Sequence, residues 1–368
     1  MKKVILYFCI LLSIFSCSQK EALTPQEINE TVFVGSFDDN LYALDAETGK
    51  VKWAFDSKDD MYSPTVEGNM VYIHSGGQYK LYAVNISDGS KKWEFKQRCF
   101  ISYSPLIDKG ILYTSIGGNF SLISDIYALN LESGDKKWQF STPGWYDHTT
   151  VVSKELLYSI GDNGNSMSAI DISTGEVKWK YKTDGIYTSP YVFDGLLYLG
   201  AKSKVIILDS KTGIQKKEMQ LDSISHLMSF ISPNKMYLTD RNNNLYCYEL
   251  SSGNKLWTFY YGSGLSTNLT IDNETLYFGN GNKVVALDLK NGLKKWEFET
   301  GGLIKKSPTV ANGMIYFGSF DKKLYALNAN DGTKKWEFLT NDRIESTPCV
   351  VSKSGKVYYA GQNRLNQP

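Results

Sequence analysis

Short alternating runs of apolar and polar residues recur along the chain, each broken by turn-forming residues. Residues 62 to 97 show the pattern most plainly. Tyr62 to Val66 predicts an inner strand, Asn69 to His74 a second, Leu81 to Asn85 a third with side chains alternating inward and outward, and Lys91 to Phe95 an outer strand. Gly89 falls in the turn between the third and outer strands, where glycine supplies positive φ and the polar residues before it bond turn amides. Beyond residue 30 no stretch has the periodicity of a helix.

The same segment returns eight times as an acidic or amide residue, three variable residues, Gly, three more residues and then, in seven of the copies, Trp. Its glycines, from Gly49 to Gly332, lie 40, 45, 41, 38, 40, 39 and 40 residues apart. That period suits a blade of four antiparallel strands, so the sequence predicts an all-β, eight-bladed β-propeller in one domain over 31–368. A blade cannot bury both faces alone. A Trp on the outer strand can cover the neighbouring blade, and Trp53, Trp93, Trp138, Trp179, Trp257, Trp296 and Trp336 are expected to do so. The fifth repeat has Lys217 there, which predicts the weakest contact of the ring unless Met219 fills the gap.

The run Leu-Tyr-Ala-Leu-Asp-Ala-Glu-Thr-Gly-Lys-Val-Lys-Trp at 41–53 resembles the PQQ-like, or quinoprotein-type, propeller repeat with its tryptophan-docking motif. The resemblance extends from residue 31 to about 361 and is specific for fold, not for cofactor. The first unit begins at its second strand, Val32 to Ser36, so Ser346 to Val351 is expected to close the ring as its inner strand. A further strand-like run, Lys356 to Ala360, followed by Gln362 to Leu365, then either lies outside the ring or displaces the N-terminal strand.

The N-terminus reads as a targeting signal. Lys2 and Lys3 precede an apolar run, Val4 to Ser16, that is too short to span a membrane as a helix, since about 20 residues are needed. Ile14 and Ser16 before Cys17 resemble a bacterial lipobox; that implies a signal peptide at 1–16, a diacylglycerol on the Cys17 thiol and a polar tether to residue 30. The other reading is a plain secretory signal. Without Lys2 and Lys3 the chain has 38 basic and 39 acidic residues, which gives no reason to expect nucleic acid as a partner. Cys99, Cys247 and Cys349 lack metal-like spacing, and Cys247 replaces a small core Ala.

Candidate contacts gather at the channel mouth, just before the inner strands. Tyr62, Tyr103, His148, Tyr187, Lys306 and Arg343 stand there, with Trp145 and Tyr146 nearby. Mixed aromatics and cations could cradle a peptide, a sugar or a quinone, or could simply line a narrow channel. Asp38, Asp39, Asp162, Asn163, Asp240, Arg241, Asn242, Asp321 and Lys322 lie in second-to-third-strand loops. They show no calcium-loop spacing and are expected to form turns. The inserted loop 117–124 is a candidate partner contact. His74, His148 and His226 have no metal-ligand spacing and no nucleophile motif appears, so neither catalytic residues nor a metal site are expected.

Taken with the lipobox, the repeat is similar to the accessory propeller lipoprotein of the outer-membrane β-barrel assembly machinery (BamB-like). That implies a non-catalytic, monomeric scaffold at the periplasmic face of the outer membrane, docking on the barrel-forming core subunit. A surface or periplasmic glycan- or peptide-binding lipoprotein is the alternative. A quinone-dependent dehydrogenase is the third reading. Such enzymes carry an adjacent Cys-Cys pair and a calcium set that are missing here, so PQQ is not expected as a cofactor.

Overall fold

The structure, a computed structural model, describes residues 30–360 apart from 99–103, 117–122, 144–149, 187, 222–227, 233, 241, 263 and 266. Eight antiparallel sheets follow one another around a ring, seven of four strands and one of five. This is the eight-bladed propeller that the repeat predicts. Blade 2 is representative, with strands Thr65–Glu67, Met70–His74, Lys80–Asn85 and Lys91–Lys96. Its third strand pairs Ala83 with Trp93, and the register slips by one residue between Ala83 and Val84. The slip leads into the turn where Gly89, at φ 73°, donates its N–H to the Asn85 carbonyl at 2.9 Å.

The inner strands are shorter than the pattern suggests. The first begins at Thr65 rather than Tyr62. Pro64 stands directly before it, and Pro190, Pro308 and Pro348 stand before the inner strands of three other blades; proline has no N–H to give a ladder. The first residue of some inner strands ties blade to blade instead. Thr65 Oγ1 donates to the Pro105 carbonyl at 2.9 Å, Thr270 to Pro308 at 2.7 Å and Thr309 to Pro348 at 2.6 Å.

An outer set of ties runs through the tryptophans. The Trp53 indole N–H donates to the Ile86 carbonyl of the next blade at 3.0 Å, and its ring lies so close over Gly89 that a Cβ there would meet it at 2.6 Å. Trp93, Trp138, Trp179, Trp257 and Trp296 repeat the arrangement on Leu131, Ile172, Ser210, Leu289 and Ala329. Trp336 completes the circle on the Ala46 carbonyl at 2.9 Å. In blade 5 Lys217 is exposed, and the buried Met219 reaches over Gly253 instead, 3.5 Å from where a Cβ would sit.

Cys349–Val351 closes blade 1 by pairing with Thr31–Phe33, and Ser346, earlier in the same segment, accepts a bond from the Gly35 N–H at 3.2 Å. The tail takes neither of the two places expected for it. Val357–Tyr359 turns back through Ser352 to Lys356 and pairs with the free edge of Cys349–Val351, while Thr31–Phe33 keeps its own pairing. The closing strand is an inner strand, so this fifth strand lies on the channel side. Tyr359 is bonded through its hydroxyl to both the N–H and the carbonyl of Val66 in blade 2, and Tyr358 donates to Asn312 in blade 8 at 2.9 Å. Residues 362–365 lie outside the described residues.

Candidate partner-contact site at the channel mouth

Three of the expected mouth residues can be placed. Lys306, Arg343 and Tyr62 precede the inner strands of blades 8, 1 and 2, which are consecutive around the ring. Tyr103, Trp145, Tyr146, His148 and Tyr187 lie outside the described residues, as does the lipidation candidate Cys17.

Arg343 and Tyr62 are brought together by a residue that the sequence reading did not single out. The Arg343 guanidinium lies 4.3 Å from the centre of the Phe37 ring and 5.5 Å from that of Phe320. Tyr62 meets the same Phe37 ring edge-on at 5.2 Å. The backbone sets this up, since the Phe37 N–H donates to the Arg343 carbonyl at 3.1 Å and the Phe320 N–H to that of Leu303 at 2.9 Å. A signal existed: Gly-Ser-Phe-Asp occurs at 35–38 and again at 318–321. A guanidinium on aromatic faces gains cation–π attraction and loses side-chain freedom in advance of any contact.

Carboxylates surround the arginine. Glu345 lies 3.9 Å from Arg343 Nε, at the limit of an ion pair, and the Arg343 side chain remains 42% accessible. Burial, with Asp59 beside it, holds the Asp60 carboxyl above the usual carboxylate range, against the pull of Arg343. Burial also raises the Tyr62 phenol, helped by Glu345 and Asp60. The rim of blades 8, 1 and 2 is thus an ordered aromatic–guanidinium cluster in an acidic setting.

The loop aspartates serve the turns. Asp38 Oδ2 accepts from the Tyr42 hydroxyl and the Asn341 N–H, both at 2.8 Å. Asp240 accepts from the N–H groups of Asn242 and Asn244 at 2.9 Å and from the Tyr246 hydroxyl at 2.8 Å. Asp321 accepts from the Tyr325 hydroxyl at 2.7 Å and the Gly301 N–H at 2.8 Å. Asp39, Asp162, Asn163 and Lys322 adopt positive φ. Among the described residues no three His, Cys, Asp or Glu side chains converge as a metal site would. His74 is fully buried, with Nε2 2.9 Å from Thr114 Oγ1. Cys247 is equally buried in the core, and burial pushes its thiol up to about 11.

Comparison with known proteins follows the fold. Residues 21–213, 123–239 and 240–366 match the family described as outer membrane protein assembly factor BamB. The crystal structure of BamB from Moraxella catarrhalis superposes with a TM-score of 0.62 at 18% identity, covering 84% of this chain and 91% of that one. A computationally designed protein, Ika8, gives 0.64 at 14% identity, covering 82% of this chain and 95% of that one. A europium-containing methanol dehydrogenase gives 0.52 at 15% identity, covering 89% and 80%. At such identities these likenesses concern the fold. No curated protein matches the chain.

Proposed function

Because the chain belongs to the family of the outer membrane protein assembly factor BamB, we propose that it is a non-catalytic scaffold that meets a protein partner during outer-membrane protein assembly. The observation that carries the reading to a place on the molecule is Arg343 held between Phe37 and Phe320 at the rim. Arginine and aromatic side chains ordered before contact are what interface hot spots are made of. On this reading the lipid on Cys17 tethers the ring to the periplasmic face of the outer membrane, and the rim of blades 8, 1 and 2 docks on the barrel-forming core subunit. Neither PQQ nor a metal takes part: the chain has no adjacent cysteine pair to sit against such a quinone.

A second reading, a glycan- or peptide-binding lipoprotein, draws on the aromatic mouth. The fifth strand of blade 1 speaks against a ligand deep in the channel, because Tyr358 and Tyr359 already bridge blades 8 and 2 there.

Complementation tests the proposal. Cells lacking the chain should show reduced levels of folded outer-membrane barrel proteins, restored by the wild type and not by Arg343→Glu at equal abundance. Full restoration by Arg343→Glu would remove the rim from the account. Unchanged barrel levels in the deletion strain would remove assembly from it.

A further inference from the structure

In seven blades the inner strand runs straight into the second strand through a tight turn. The last residue of that turn is held the same way each time. Its carbonyl accepts the N–H of the residue after the repeat's acidic or amide position: Asn69 from Ile86 at 2.9 Å, Gly110 from Leu131 at 3.1 Å, Gly313 from Ala329 at 2.8 Å. Blade 1 has no such turn. Its inner strand, Cys349–Val351, and its second strand, Thr31–Gly35, come from distant parts of the chain. Glu30 takes the turn residue's place and accepts the Ala46 N–H at 3.0 Å, but the chain does not reach it from the inner strand. Val351 leads instead to the fifth strand.

The missing turn leaves a groove of about 700 Å³ between blades 8 and 1, within the range of small-ligand sites. The buried Ala46 and Tyr316 line it, beside the half-buried Met314 and Val51, which is 47% exposed. Four lysines face three carboxylates there. Two of the carboxylates are already engaged. Asp45 accepts from the Thr48 N–H at 3.0 Å and its hydroxyl at 2.8 Å, and Glu30 accepts from Asn312 Nδ2 at 3.0 Å. Lys52 is tied to Thr31 Oγ1 at 2.8 Å. Lys50, Lys335 and Lys353 are exposed and form no ion pair among the described residues.

We propose that this groove binds the headgroup of an anionic phospholipid, with Lys50, Lys335 and Lys353 on the phosphate and Val51 and Met314 against the start of the acyl chains. Ammonium groups hold phosphate as point charges, and basic pockets of this kind take lipid headgroups. The apolar wall suits an amphiphile over free phosphate. The absent turn selects this seam over the other seven. A lipid as occupant rests on the anchored reading: Glu30, in the groove wall, is where the chain coming from Cys17 enters the ring. Arg343 lies before the closing strand and Lys353 after it, so groove and rim stand at opposite faces. A bound headgroup therefore leaves the rim clear for a protein.

Native mass spectrometry of the full lipoprotein, purified in detergent, tests the groove with dioleoylphosphatidylglycerol as the probe. One lipid should bind per chain. Each lysine facing an anionic lipid is worth roughly a fivefold preference, so Lys335→Glu with Lys353→Glu should lower the affinity by about tenfold or more at an unchanged melting temperature. Lys180→Glu with Lys182→Glu, on the exposed outer strand of blade 4, should not lower it. Dioleoylphosphatidylcholine should bind far more weakly, and inorganic phosphate at the lipid's concentration should not displace the adduct. Equal binding by the Lys335/Lys353 variant, equal binding of the two lipids, or no adduct would overturn the proposal. Displacement by inorganic phosphate would also overturn it, leaving a site for the free anion. The same spectra give the mass of the chain: an unacylated Cys17 would count against the anchored reading, while the adduct would still decide the groove.

Discussion

Blade 5 offers a direct test of what ties the ring together. Its outer strand reads Gln-Lys-Lys-Glu-Met-Gln where blade 8 reads Lys-Lys-Trp-Glu-Phe-Leu. Lys217→Trp combined with Met219→Phe restores the repeat. Tyr198 stands where Tyr158 and Tyr237 accompany their tryptophans at ring separations of 6.0 and 5.8 Å, Gly253 supplies the flat floor at φ 78°, and Leu250 holds the place of the acceptor carbonyls. A docked indole buries about 150–250 Å², roughly 4–6 kcal/mol at 25 cal/mol per Å². With Met219, whose Cε lies 3.5 Å from where a Gly253 Cβ would sit, taken to supply about half of that burial already, a new hydrogen bond adds about 1 kcal/mol and fixing the side chain costs about 1 kcal/mol. The net gain is about 2–3 kcal/mol. With an unfolding entropy of about 0.7 kcal/mol/K for a body of this size, the midpoint should rise by about 3–4 °C in calorimetry. Trp296→Ala, which removes an existing dock that is only 9% exposed, should cost about 3–5 kcal/mol. An unchanged or lower midpoint for the double variant, beside the expected loss for Trp296→Ala, would refute the reasoning: Met219 would then be as good a tie as an indole.

Three further outcomes follow from the geometry. The Asp60 carboxyl is held above its ordinary range in the folded state, so the fold gains from its protonation below about pH 4 and loses that gain as pH rises through the folded value; Asp60→Asn should therefore raise the midpoint at pH 7 and have little effect at pH 3.5, and an effect equal at both would contradict the assignment. Truncation after Gly355 removes the Val357–Tyr359 ladder and the Tyr359 ties to Val66; it should cost about 2–4 kcal/mol in urea titration yet leave the far-ultraviolet circular dichroism of the ring intact, because Thr31–Phe33 remains closed on Cys349–Val351. Cys247 and Cys349 are fully buried and should escape maleimide at pH 8 until the protein is unfolded, as read by peptide mass mapping; labelling in the native state would place them wrongly.

The ring was legible because the same chemistry recurs at one period. A glycine at positive φ and an indole lying directly over it are demands that few residues meet, so they stand out at Gly89 and Trp53 alike. Proline before the inner strands was also visible, and it explains why those strands begin late. The place of Val357–Tyr359 was not legible. A strand-like run states that it wants a partner, not which open edge it will find, and only the ring's closure leaves the inner edge of Cys349–Val351 free. The rim was half legible. Arg343 and Tyr62 were singled out by position, but Phe37 and Phe320 look like ordinary loop hydrophobics until the fold puts both against one guanidinium. Met219 as the substitute dock was foreseen only as one possibility, since which side chain fills a gap depends on packing around Gly253.

The central claim is that the rim of blades 8, 1 and 2 meets a protein of the barrel-assembly machinery. A photo-crosslinking amino acid placed at Lys306 in living cells, followed by mass spectrometry of the adducts, tests it most directly. The account predicts one dominant adduct with the barrel-forming core subunit, lost when Arg343→Glu is added. Adducts with glycan-uptake proteins alone, or none at all, would contradict it.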